Sequence, residues 1–351
     1  MRGATRRPIS DRHAACLRTM RSRGTTGSRG FFALSESRPM NIPAAYVAVI
    51  VIWSTTPLAI KWSTQEVGFL FGAVSRMTLG FLCVYALTRM RGEPLRFDRT
   101  ALRAYALAAL GIYGAMFSTY WAAQHVPSGW ISLIFGLSPL LTALLSALLL
   151  GERAITPSRV LAQLCGLAGL AVIFVRSVDV GPAAALATLV LVGATACHAL
   201  SAVLLKRQNA GLPASTLVAG GLLVALIPYY LSFWLLGGTL PVVVPGYVLA
   251  SILYLGAIAT TCGFTLYYFI LRRQSPTQLA LIAFVAPVCA LSLGNLLNGE
   301  VIEARVALGA LLVLVALFLH EVWPAVVRVR TRARPPPGSA AATAGRSEVV
   351  P

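Results

Sequence analysis

A chain of 351 residues that is 57% hydrophobic and only 11% charged carries too little polar material to coat a soluble globule, so lipid is its main solvent. The formal charge of +18 sits in loops and tails without interleaved aromatics, which argues against a nucleic-acid surface. Connections between the apolar stretches are short and leave no room for a soluble catalytic domain.

Residues 1–39 hold nine arginines, two acids, scattered Ser, Thr and Gly, and no apolar run of a secretory signal peptide. Residues 1–42 are therefore expected to be a disordered basic segment. Three readings stay open for it: an organellar transit peptide, a membrane-surface anchor, or upstream sequence preceding a true start at Met40. A helix needs roughly 20 apolar residues to cross the hydrocarbon core. Segments of that kind fall at 43–60, 68–88, 103–121, 128–150, 159–176, 183–205, 214–236, 246–271, 276–297 and 304–323. The end of the chain, 324–351, contains the Pro335–Pro337 run and is expected to be a disordered cytoplasmic tail.

The halves repeat. Tyr120, Pro139, Gly151 and Glu152 reappear 148 positions later as Tyr268, Pro287, Gly299 and Glu300. The prolines lie in the fourth and ninth spans, one even and one odd, so the copies must cross the membrane in opposite directions. The expected architecture is an all-α integral membrane protein with ten transmembrane helices as two inverted five-helix repeats, 43–176 and 183–323. With a cytoplasmic amino terminus, the inside segments hold 25 Lys and Arg and the outside segments three, Lys61, Arg176 and Arg305. That asymmetry predicts both termini in the cytoplasm.

Ser128, Ser132, Phe135, Pro139, Thr142 and Ser146 recur at helical spacing and share one face of the fourth span. The ninth span carries Pro276, Ala280, Ala283, Pro287, Ala290 and Gly294 at the same offset. Small residues allow close helix approach or leave volume for a solute, and both readings stay open; each proline frees a carbonyl, which favours a cavity. Arg76 is the ionisable residue deepest in the first repeat, either facing a wet pathway or snorkelling to the interface. His198, in the sixth span, is either a core histidine or a proton carrier. Glu152 and Glu300 end their spans on opposite sides, to bond loop amides, to pair with neighbouring arginines or to carry protons. No acid occupies the middle of any span, so coupling through a buried carboxylate is not supported. Trp53, Ser54, Thr55, Tyr113, Tyr120, Trp130, Thr261, Thr265 and Tyr268 suit an amphipathic organic solute better than a bare ion, and an interface belt or packing is the other reading of most of the aromatics.

The six cysteines and four histidines form no ligand spacing, no Gly-rich phosphate loop or G-x-S-x-G is present, and neither a metal nor a cofactor is expected. Trp53 to Lys61, Arg76, Tyr120 to Pro139 with Gly151-Glu152-Arg153, and the echo Tyr268 to Glu300 resemble the EamA-type transporters of the drug/metabolite transporter superfamily, over residues 43–323. The resemblance implies a ten-helix carrier of two inverted repeats, often exporting amino acids, other metabolites or toxic compounds. The chain departs from it at His198, where the family often has tryptophan. The expected function is secondary transport, export of an amino-acid-like, nucleoside-like or drug-like metabolite by alternating access in the inner or plasma membrane. The expected partners are a small-molecule substrate and the lipid bilayer, with no nucleic acid and with a homodimer left open. The pathway candidates are Trp53, Ser54, Arg76, Tyr120, Ser132, Phe135, Pro139, Thr142, His198, Thr265, Tyr268, Ala283, Pro287 and Ala290. A membrane scaffold or receptor and an intramembrane transferase are the alternatives.

Overall fold

The computed structural model describes residues 42–150, 157–271, 273, 276–319 and 323, with the side chains of 150, 157–159, 177–178, 271, 276–281, 283 and 284 excepted. The expectations for 1–41, Glu152 and 324–351 lie outside the described residues, as does that for the side chain of Ala283. All regular structure among the described residues is helical. In chain order the helices are α1 Ile42–Trp62, α2 Phe69–Met90, α3 Arg99–Ala122, α4 Ser128–Leu149 and α5 Pro157–Val180. The second half follows with α6 Pro182–Gln208, α7 Ala214–Leu235, α8 Gly246–Ile270, α9 Pro276–Asn298 and α10 Ala304–Leu317. Seven of them, α1 to α4 and α6 to α8, are long and apolar enough among the described residues to cross a membrane. The other three contribute shorter apolar stretches, Val160–Arg176, Val285–Asn298 and Ala304–Leu317. At about 1.5 Å per residue the last of these falls short of a ~30 Å hydrocarbon core.

Local chemistry sets the boundaries. Pro127, Pro213 and Pro245 stand in extended conformation before α4, α7 and α8, and Pro182 opens α6, where its missing N–H costs nothing. Asp98 caps α3 by accepting the Ala101 N–H at 3.4 Å. Lys206 and Arg207 occupy the last turn of α6, and the left-handed Asn209 (φ 42°) stops it.

Two irregularities recur. α3 passes through a π-helical stretch at Leu110–Ala115 and α8 through one at Tyr254–Gly263, and these end at Ala115 and Gly263, positions 148 apart. π-helical turns widen the backbone and often mark functional sites. The prolines of the repeat behave differently from each other. Pro139 has no N–H for the Phe135 carbonyl, and α4 breaks there: Gly136 donates to Ser132 O at 2.9 Å and Leu137 to Ile134 O at 3.0 Å. Pro287 stays inside an unbroken α9.

Packing follows the repeat. α5 lies against α10, α2 against α7 and α4 against α9, each joining counterpart helices. The remaining principal pairs come as couples that exchange when each helix is replaced by its counterpart: α3 with α6 and α8 with α1, α3 with α7 and α8 with α2, α4 with α6 and α9 with α1. The main core runs along these seams, through Ile60, Met77, Tyr120, Ile134, Leu191, Leu222 and Leu255. Large apolar side chains also cover the outside, among them Leu82, Leu148, Leu164, Leu186, Ile227 and Leu311. A water-facing surface would not carry so much exposed hydrocarbon.

Candidate functional site

A cavity of about 120 Å³ opens halfway along the helices, where α1, α2, α3, α4, α6, α8 and α9 converge. Trp53, Thr56, Pro57 and Ile60 come from α1 at steps of three, one and three, which is a single helical face turned inward. α4 supplies Ile131, Ser132, Phe135 and Gly136, its broken turn, and α9 supplies Ile282, Ala286 and Pro287. Met116 and Thr119 follow the π stretch of α3, and Ala259 and Phe264 flank the end of that of α8.

Arg76 is the cation of this site. Its side chain lines the cavity yet is only 1% exposed. Nε donates to Thr260 Oγ1 of α8 at 3.0 Å, and the guanidinium lies 5.8 Å from the centre of the Tyr120 ring. Nη1 finds no acceptor among the described residues, and neither does the buried Tyr120 hydroxyl. An unpaired buried donor on a cation costs more than an ordinary hydrogen bond returns, so the arrangement calls for an acceptor. Among the described residues the wall contains no acidic one. His198 closes another side, with its ring 6.3 Å from Phe135 and 6.0 Å from Tyr267. Trp53 lies 4.9 Å from that same Tyr267. Among the described residues no three His, Cys, Asp or Glu gather to hold a metal ion.

The structure brings together Trp53, Arg76, Ser132, Phe135, His198 and Pro287 around the cavity. It leaves the other described candidates out of the wall. Ser54 is buried and spends its hydroxyl on Ile50 O at 2.7 Å. Tyr120, Thr265, Tyr268 and Ala290 are buried in the surrounding packing, and Pro139 and Thr142 are half-buried beyond the break in α4. That break interrupts the serine-rich face, so only its upper half meets the cavity. Sequence reasoning missed Thr56, Pro57, Ile60, Met116, Thr119, Ile131, Gly136, Ala259, Phe264, Ile282 and Ala286. The helical phase of Trp53 carried a signal for the first three; nothing local marked Thr260 as the partner of Arg76.

A second polar cluster closes one end of the same helices. Gly299, with φ at 63°, lets the chain turn back after α9 so that the Glu300 N–H reaches Gly294 O at 3.1 Å. The Glu300 carboxylate then sits on the start of α4, accepting from Ser128 N at 3.0 Å, Ser128 Oγ at 2.9 Å and Gly129 N at 3.3 Å. A helix amino terminus with free N–H groups is a natural anion seat. Lys61 at the end of α1 approaches to 3.4 Å and Asn298 donates at 3.0 Å, while Trp62 holds Asn298 at 3.1 Å. Gly294 is required here: a Cβ at that position would lie 2.5 Å from Glu300 Oε2 and 2.9 Å from Ser128 Oγ. Burial pushes the Glu300 carboxyl up, but the Ser128 N–H, the Lys61 ammonium, the Ser128 hydroxyl and the Asn298 amide together hold it below the ordinary carboxylate value. Thus Glu300 bonds helix amides and a lysine, where loop amides and arginines were expected.

Comparison with known proteins agrees with this geometry. A relative from Archaeoglobus fulgidus, named only as an uncharacterized transporter, is 25% identical over 77% of this chain and 95% of its own length. A Streptantibioticus cattleyicolor protein named "probable terminal-alkyne amino-acid exporter" is 26% identical over 73% of this chain and 85% of its own. An Escherichia coli protein named "probable amino-acid metabolite efflux pump" is 25% identical over 78% and 92%. A crystal structure with 24% identity superposes with a TM-score of 0.60 over 80% of this chain and 98% of that one, a likeness of fold. The model of the EamA-like transporter family matches twice, at residues 42–175 and 185–320. A multi-pass membrane transporter, this chain belongs to the EamA-like transporter family.

Proposed function

We propose that the chain is a secondary carrier that exports a small organic metabolite by alternating access, with ten spans in two inverted five-helix repeats, 43–176 and 183–323. The observation that carries this reading is the cavity at mid-length walled by both halves: Trp53, Arg76 and Phe135 from one, His198, Phe264 and Pro287 from the other. A solute held there touches both halves, and rocking of one against the other would expose it to alternate sides. The Glu300 cluster supports the same reading, since it ties α1, α4 and α9 at one end and leaves a closure to be undone. By sequence, Glu152 is its counterpart in the first repeat, 148 positions earlier. Export as the direction, and an amino-acid-like, nucleoside-like or drug-like solute, rest on the printed names of two relatives and on the apolar, aromatic wall. The charge asymmetry of 25 to three supports an inner or plasma membrane with both termini cytoplasmic.

Purified full-length protein in liposomes tests this. Counterflow of a labelled metabolite, abolished by filling the cavity, is the expected result. Turnover without transport would replace the carrier with a transferase, and neither activity would leave a scaffold.

A further inference from the structure

We infer that the solute is a small organic acid, with a carboxylate that meets Arg76, an apolar body and no ammonium group. This rests on the carrier reading and narrows it to one charge class. Arg76 has one of its donors committed to Thr260 and one, Nη1, left without an acceptor, although the side chain is 99% buried at the cavity wall. The Tyr120 hydroxyl, on a ring 5.8 Å from the guanidinium and packed outside the wall, is likewise buried without a partner. Nη1 of the cation lacks an oxygen acceptor, which an anion meets best, and a carboxylate presents two oxygens in the plane a guanidinium fork prefers.

Among the described residues the protein does not supply that anion: their acids, Glu66, Glu93, Asp98, Asp179, Glu300 and Glu303, all lie at helix ends or in connections. The rest of the wall is apolar or neutral, chiefly Trp53, Ile131, Phe135 and Phe264, and His198 adds no negative charge in either protonation state. The empty site is therefore net positive, and a monoanion neutralises it. A zwitterion leaves it positive, and its ammonium enters an apolar cavity beside a like charge with only neutral oxygens to meet it. The Thr56 and Thr119 hydroxyls already donate to Ile52 O and Ala115 O of their own helices, at 2.6 and 2.7 Å. A cation brings two like charges together and is the worst match.

Three solutes that share one isobutyl body separate these cases: 4-methylpentanoate, leucine and 3-methylbutylamine. The full chain in lipid nanodiscs is heated with each, and the concentration that gives a fixed rise in Tm is compared. The acid is expected to act at concentrations at least about tenfold below leucine, as one charged hydrogen-bond pair is worth, and the amine not at all. Arg76→Gln removes the acid's advantage, and Arg76→Lys, which keeps the charge without the fork, retains part of it. Leucine equal to or better than the acid, stabilisation by the amine, or an acid preference that survives Arg76→Gln overturns the inference. If Arg76→Gln does not fold, the ranking on the unaltered chain and on Arg76→Lys decides alone. Leucine counterflow with the binding order reversed would remove the acid and leave the carrier standing. Selective acid binding without flux would keep the acid site and remove the carrier.

Discussion

Glu300 remains charged at neutral pH because its oxygens are occupied by helix N–H groups, a hydroxyl, an ammonium and the Asn298 amide, from three helices. Its folded value lies below the ordinary 4.5, so the stabilisation it brings is complete above that value and is lost as pH falls through the lowered one. A cysteine introduced at Ser132, in a cysteine-free background, should keep the same accessibility from pH 7 to 5, read as its labelling rate relative to that of a fully exposed cysteine at each pH, and become more accessible only below the ordinary value. Glu300→Gln should raise that accessibility at pH 7, because an amide nitrogen cannot accept from the Ser128 and Gly129 N–H groups it would face; a relative rate identical to the parent's at every pH would disprove the closure. Gly294→Ala offers a check that leaves every charge in place. Its methyl group would fall within contact distance of Glu300 Oε2 and Ser128 Oγ, and it should open the same end.

At the level of helices, spacing predicts faces and packing decides which part of a face is used. The face of α4 from Ser128 to Ser146 was legible as a helical stripe, but the break before Pro139 divides it. Ser132 and Phe135 reach the cavity, while Thr142 lies past the break. The bulk test therefore belongs on α9 at Ala286, which lines the cavity, with Leu148 of α4, 70% exposed, as control. Ala286→Trp should abolish counterflow at unchanged membrane abundance. Leu148→Trp should transport normally, since lipid accommodates an indole and a packed wall does not. The paired π stretches escaped the sequence reading, because a one-residue change in helical winding leaves no compositional trace; only the shared end point, Ala115 and Gly263, ties them to the repeat.

For the whole molecule the charge count makes a prediction about sidedness. Each of the three basic residues assigned to the outer face sits in an ion pair, Lys61 with Glu300, Arg176 with Glu303 and Arg305 with Asp179, so that face keeps little uncompensated positive charge. In a cysteine-free background, Phe97→Cys should resist an impermeant thiol reagent in intact cells and Val242→Cys should react, both side chains being exposed. Equal labelling would refute the orientation. Composition and hydropathy by themselves determined that this is a helical membrane protein, where its apolar segments fall and that it is duplicated at an offset of 148, since each of these is written in local hydrophobicity and spacing. Only the tertiary structure decided that Arg76 would be held by Thr260, 184 residues away, and that Glu300 would seat on Ser128, 172 residues away. Such partners are chosen by which helices lie side by side, and burying a charge makes that choice energetically decisive while leaving no mark on the sequence around it.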